Sequence, residues 1–196
     1  MRRTRVGTMH GSRGLCLWFT GLSGAGKTTL SRAVEPELRG MGYRVRILDG
    51  EELRHSVSRD LGFSKADRDE NVARIATLAR DMVQEGWIVL VAAISPYRRA
   101  RACARARIGS FLEVHVDAPL ELCIRRDPKG LYANALLGEL PNFTGIDDPY
   151  EPPMTSDIHC DTAGEPLAAC VTKIVIAVQS QITARVAEGQ SGRILA

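Results

Sequence analysis

Apolar runs bounded by polar turns recur along the chain at Leu15–Phe19, Arg44–Leu48, Trp87–Ile94, Phe111–Val116 and Ile158–Cys160. They are short, nearly continuous and rich in Val, Ile and Leu, the pattern of strands covered on both faces. Between them, apolar positions return every three or four residues. The clearest such stretch is Asp67–Glu85, where Val72, Ile75, Ala76, Ala79, Met82 and Val83 share one helical face, with Asp67 as the expected cap and Gly86 as the stop. A last helix is expected to start near Pro166 and to send Ile174, Val175 and Val178 into the core, with residues 189–196 frayed. Strands alternating with helices predict an α/β fold, a parallel sheet flanked by helices on both faces.

In such a sheet, ligands gather beyond the carboxyl ends of the strands. The first strand leads into Gly21-Leu22-Ser23-Gly24-Ala25-Gly26-Lys27-Thr28, a complete G-x-x-x-x-G-K-[ST] phosphate-binding loop (P-loop) followed by a helix. Its glycines let the backbone curl until several N–H groups face one anion, at the positive end of the helix dipole. Lys27 reaches the outer phosphates of a bound ATP, and the Thr28 hydroxyl serves Mg²⁺. The fold class is therefore that of a P-loop NTPase. The second strand ends at Asp49-Gly50 and the third at Ser95-Pro96, so all three turns fall on one rim.

The stretch from Asp127 to Tyr150 shows neither strand nor long helix and is punctuated by Gly130, Gly138, Pro141, Gly145 and Pro149. A loop of that length in a compact domain is usually functional, and Leu131, Tyr132, Phe143 and Ile146 give it something to bury. A lid over residues 127–150 is expected, closing over the substrates and excluding water that would otherwise accept the phosphoryl group.

Composition narrows the class without changing it. At 196 residues the chain suits one domain, expected over 14–188 and preceded by a flexible basic tail at 1–13. Hydrophobic residues make up 44% and charged residues 25%, an ordinary globular balance with no run read as long enough to cross a bilayer, so a cytoplasmic protein without a membrane partner is expected. A formal charge of +3 fits a locally basic site for anionic ligands rather than nucleic-acid binding. The five cysteines lack a C-x-x-C pair and read as reduced core residues. His115 and His159, inside expected strands, read as structural rather than metal-binding.

Phosphoryl transfer needs charge neutralisation, in-line positioning and a group that orients the acceptor hydroxyl. Asp49 is placed for that last task, either on the hydroxyl or on the water shell of Mg²⁺, with a plain helix cap as the alternative. Arg54, Arg68, Asn71, Arg98 and Lys129 fall near the same rim, and convergent guanidinium groups imply an anionic acceptor. Arg99, Arg101, Arg105 and Arg107 alternate with alanines and read as a solvated basic face.

In order along the chain, Asp60-Leu61-Gly62-Phe63-Ser64, Ile94-Ser95-Pro96-Tyr97-Arg98, Asp127-Pro128-Lys129-Gly130-Leu131-Tyr132 and Phe143-Thr144-Gly145-Ile146-Asp147-Asp148-Pro149-Tyr150 resemble the adenylyl-sulfate kinases (APS kinases). The resemblance covers nearly the whole chain. It implies transfer of the ATP γ-phosphoryl group to the 3′-hydroxyl of adenosine 5′-phosphosulfate (APS), giving PAPS, with ATP and Mg²⁺ as cofactors. It also implies a homodimer and a possible association with ATP sulfurylase.

By the same resemblance, Gly21 to Thr28 and Thr29 bind the nucleotide, and Asp49, Arg54, Phe63, Arg68, Asn71, Ile94, Ser95, Lys129, Leu131 and Phe143 bind APS, with Phe63 and Phe143 on either side of its adenine. Lys27, Asp49 and Ser95 are the catalytic candidates. Ser95 matches a position associated in the family with a phosphoserine, although no adjacent base is evident and in-line transfer needs no covalent step. The chain departs from the family pattern at Glu51-Glu52, where Asp-Asn is usual, at Arg99-Ala100, and at Ala133-Asn134-Ala135-Leu136, where Lys and Arg are usual. Two other readings remain at this point: a kinase of another small hydroxyl metabolite, and a non-catalytic nucleotide-binding subunit of a sulfurylase.

Overall fold

A computed structural model describes residues 14–191 of the chain, with side-chain surroundings defined as far as residue 185. The expected tail at 1–13 and the segment 192–196 lie outside the described residues. Five strands, β1 (Leu15–Thr20), β2 (Val45–Asp49), β3 (Ile88–Ala92), β4 (Phe111–Asp117) and β5 (Ile158–Asp161), form one sheet in the order β2-β3-β1-β4-β5. All four pairings are parallel.

Alternate residues of each strand feed two separate cores, as a doubly covered sheet requires. Leu15, Leu17, Phe19, Ile88 and Leu90 face α1 (Lys27–Gly40) and α7 (Leu167–Ser191). Cys16, Trp18, Val89 and Val91 face α3 (Lys65–Gln84) and α4 (Arg98–Ile108). Three shorter helices complete the chain: α2 (Gly50–Arg54), α5 (Leu120–Arg126) and α6 (Leu131–Leu136). Four cysteines are buried and Cys103 is exposed; among the described residues all five are free thiols.

Several expectations are refined. The cap of α3 is Ser64, not Asp67: the Ser64 hydroxyl accepts from Asp67 N while the Asp67 carboxylate accepts from Ser64 N, a reciprocal capping box. The helix after Pro166 does start there and buries Ile174 and Val178, with Val175 packed partly against them. It continues past residue 189 to Ser191.

By length and composition its stretch Leu167–Arg185, mean hydropathy 1.5, would suffice to cross a membrane, contrary to the sequence reading. Cys170, Ile174 and Val178 of this stretch are buried against the sheet, whereas Leu167 and Ile176 are exposed.

The basic face expected on α4 is corrected at Arg101. This residue is 3% exposed, and its Nε donates to Glu113 Oε1 at 2.7 Å while its Nη atoms donate to the carbonyls of Ser95 and Glu151. It falls on the same helical face as Ala100, Ala104 and Ile108, all buried.

Candidate active site

The carboxyl ends of β1, β2 and β3 open into one cleft of about 1130 Å³. At its centre the backbone turns sharply from β1 into α1. Gly21 has φ 151, and a Cβ there would stand 2.3 Å from the Val116 carbonyl oxygen; Gly26 has φ 105 at the start of α1. Only glycine fits the first position, which is buried against β4 rather than open to the cleft. Ser23 to Thr29 line the cleft, whereas Gly21 and Leu22 lie outside its lining and act through their carbonyls.

Lys27 Nζ donates to those two carbonyls, at 2.9 Å to Gly21 and 2.7 Å to Leu22. Its burial lowers its pKa from 10.5 to about 8, partly offset by the nearby Asp49 carboxylate. A cation held this way, at the start of a helix and beside glycine N–H groups, is arranged for phosphate. Opposite, Thr28 Oγ1 donates to Asp49 Oδ2 at 2.8 Å, and Asp49 Oδ1 accepts from Glu51 N at 2.9 Å. Asp49 therefore caps α2 and reaches the P-loop at once. The Thr28 hydroxyl and the free lone pairs of Asp49 are hard oxygen donors facing the cleft, a donor set that fits Mg²⁺.

The acceptor end is built from α2, α3 and the 127–150 segment. Arg54 lies over the ring of Phe63, 4.4 Å from its centroid, and donates to the Gly62 carbonyl at 2.9 Å. Burial, with the neighbouring Arg68 charge, lowers the Arg54 pKa. Arg68 is buried and donates to the carbonyls of Phe63 and Asn142, with Asp148 3.6 Å away. Asn71 lines the cleft, is buried, and its Oδ1 has no hydrogen-bond partner.

The expected lid is ordered and carries structure: Asp127 accepts from the amides of Tyr132 and Ala133 at the start of α6, and Tyr132 OH donates to the Ser23 carbonyl. Phe143 is buried edge-on against Tyr132, with centroids 5.0 Å apart, whereas Phe63 is 44% exposed. Tyr97 OH donates to Asp148, fastening the far end of the segment to α4. Lys129 is ion-paired with Glu51 across the cleft.

Ser95, beyond β3, has φ 46, unusual for a residue with a Cβ. It is buried; its Oγ accepts from Trp18 Nε1 at 2.9 Å and donates to the Ala93 carbonyl. Arg98 faces away from the acceptor residues, donating to the Pro152 carbonyl. The cleft thus brings together Lys27, Thr28, Asp49, Arg54, Phe63, Arg68, Asn71, Ile94, Ser95, Lys129, Leu131 and Phe143, which the sequence scatters over five elements and the loops between them.

A sequence model of the family described as adenylylsulphate kinase matches residues 13–161. An adenylyl-sulfate kinase of Synechococcus sp. (strain JA-3-3Ab) is 52% identical over 170 residues, covering 87% of this chain and 97% of that one. Another, from Halothermothrix orenii, is 52% identical over 167 residues, covering 85% and 90%. The solved structure of the Mycobacterium tuberculosis APS kinase CysC in complex with AMPPNP and APS superposes with a TM-score of 0.82 at 43% identity, over 85% of this chain and 98% of that one.

This chain belongs to the adenylylsulphate kinase family.

A gluconokinase from Sinorhizobium meliloti, at 19% identity and a TM-score of 0.56, shares the fold alone. Within the adenylylsulphate kinase site, three features escaped the sequence reading. Arg126 donates to the carbonyls of Gly24 and Thr162, and Thr162 Oγ1 donates to the Ala25 carbonyl, so α5 and the loop after β5 brace the outer side of the P-loop. Glu51 reaches over to Lys129. Arg101, behind Ser95, holds that residue's carbonyl. No local motif marks these, because each depends on strand order rather than on neighbours in sequence.

Proposed function

We propose that the protein is an adenylyl-sulfate kinase, transferring the γ-phosphoryl group of ATP to the 3′-hydroxyl of APS to give PAPS and ADP. Membership of the family supports the reaction. The observation that carries it onto this chain is the single cleft with a phosphate cradle at one end and Arg54, Arg68, Asn71 and the two phenylalanines at the other.

In this reading the P-loop amides and Lys27 hold the donor phosphates. Thr28 and Asp49 would hold Mg²⁺, which would supply neutralisation of the phosphate charge when bound. Asp49 orients the acceptor hydroxyl or a water of that ion. Arg54 and Arg68 offer forked donors to the phosphosulfate, Asn71 Oδ1 accepts from the acceptor nucleoside, and Phe63 and Phe143 give its adenine two apolar faces. Lys129 and Leu131 close over it from the lid. Ser95 serves as a positioning residue, because Trp18 and the Ala93 carbonyl occupy its hydroxyl.

A homodimer, a cytoplasmic setting and association with a sulfurylase belong to the same reading, and size-exclusion chromatography coupled to light scattering checks the first of them. The substrate assignment is tested by comparing turnover on APS, adenosine 5′-monophosphate and small sugar acids with Mg-ATP. APS is expected to exceed the others by roughly 10- to 150-fold in kcat/KM, since a lost ionic contact costs about 1.5–3 kcal/mol. Preference for a non-nucleotide hydroxyl would replace the assignment with another kinase specificity.

A further inference from the structure

Two histidines that the sequence keeps apart become neighbours on the sheet. β4 and β5 pair in parallel with His115 in register with His159, and their rings lie 5.4 Å apart at a tilt of 50°. Asp117 follows on the same face of β4, with Oδ2 3.1 Å from His159 Nε2. One ligand atom from each of the three lies within 4.8 Å of the others. His115 and Asp117 also line a second cavity of about 580 Å³ that shares none of the P-loop lysine, threonine or Asp49. Among the described residues the His115 ring makes no hydrogen bond, so a ring nitrogen is available.

We propose that His115, Asp117 and His159 form a binding site for a divalent transition-metal ion of the zinc class, outside the nucleotide cleft. Two imidazoles and one carboxylate are borderline donors that suit Zn²⁺ and its neighbours, not Mg²⁺, which asks for six oxygens. A tetrahedral ion with bonds of about 2.0–2.2 Å spaces its ligands roughly 3.3 Å apart, so Asp117 and His159 already stand at the required separation. His115, whose ligand atom lies within 4.8 Å of the other two, would complete the set, with water in the fourth position.

The parallel pairing of β4 and β5 sets the spacing of the three residues. The site also touches the acceptor end: Tyr150 stacks on His115 at 6.2 Å, its hydroxyl lies 3.1 Å from Thr20 Oγ1, and Thr20 donates to the Ile94 carbonyl. An ion on His115 would stiffen that seam.

The test uses untagged, chelator-stripped full-length protein without nucleotide. Zn²⁺ titration by calorimetry is expected to show one site per chain. Zn²⁺ at about 100 times its Kd should raise the melting temperature by roughly 5–10 °C. Co²⁺ should give the visible bands of a tetrahedral nitrogen and oxygen site, without a near-ultraviolet thiolate band. His159→Ala, at an exposed position, and Asp117→Asn should each weaken Zn²⁺ binding at least tenfold, while Asp49→Asn and Cys103→Ser leave it unchanged. Binding that survives both His159→Ala and Asp117→Asn, a thiolate band, loss of the site in Asp49→Asn, or no Zn²⁺ binding at all would overturn the proposal.

Discussion

Trp18 Nε1 donates a buried hydrogen bond of 2.9 Å to Ser95 Oγ, and the Ser95 carbonyl accepts from Arg101 at 2.7 Å. With its Oγ also donating to the Ala93 carbonyl, the Ser95 hydroxyl has both a donor and an acceptor partner, neither of which is a base. Ser95→Ala should therefore keep kcat within about tenfold while lowering stability by about 1–3 kcal/mol, because the buried Trp18 N–H loses its acceptor. Steady-state kinetics and urea unfolding measure the two effects. A phosphoserine at Ser95 that chases into product would contradict this assignment.

Asp49 makes two separable contacts, to Thr28 and to the start of α2. Asn caps helices about as well as Asp, so Asp49→Asn should leave stability within about 0.5 kcal/mol. It removes the carboxylate charge from the reacting end, and kcat should fall at least about 100-fold. A variant with native kcat would reduce Asp49 to a cap.

The lowered pKa of Lys27, about 8 against an ordinary 10.5, has opposite consequences for stability and for binding. Between these values the unfolded chain holds more protons than the folded one, so the contribution of Lys27 to stability rises with pH across this window. Nucleotide phosphates select the protonated lysine, so Mg-ATP affinity should fall as pH rises through about 8, by roughly fivefold between pH 8 and 9. Calorimetric titrations over that range measure it. Lys27→Arg should remove the inflection, and an unchanged inflection in that variant would assign it to another group.

Lys129 is paired with Glu51 across the cleft. Both side chains are about half exposed, and such pairs contribute about 0–1 kcal/mol. Glu51→Gln should free Lys129 for an anionic substrate and lower the KM for APS by up to about fivefold at unchanged kcat. An increase in KM would mean that the pair holds the lid in its working position.

The parts of the molecule legible in the sequence are those fixed by local pattern. β1 running into Gly21–Thr28 needs only adjacent residues, and Asp49 at a strand end follows from the rule about carboxyl rims. The parts that were not legible depend on contacts across the sheet. Alternation with alanine could not tell which of the α4 arginines turns inward; Arg101 does so because Glu113 on β4 and two loop carbonyls await it. Ser64 is not legible as the cap of α3 because Asp67, its reciprocal partner, is the more conspicuous polar residue. The helix α6 is too short for periodicity to show; the Asp127 carboxylate accepts from two amides of its first turn and Tyr132 anchors it to Ser23. His115 and His159 meet only through the register of β4 and β5.

In the proposed reaction one cleft presents the 3′-hydroxyl of APS to the ATP γ-phosphate. Incubation with Mg-ATP and APS, with product identified by ³¹P NMR, tests it most directly. Stoichiometric ADP and a new 3′-phosphomonoester on an intact phosphosulfate are expected, both lost in Lys27→Ala. ATP bound without turnover, or phosphate transferred to water alone, would contradict it.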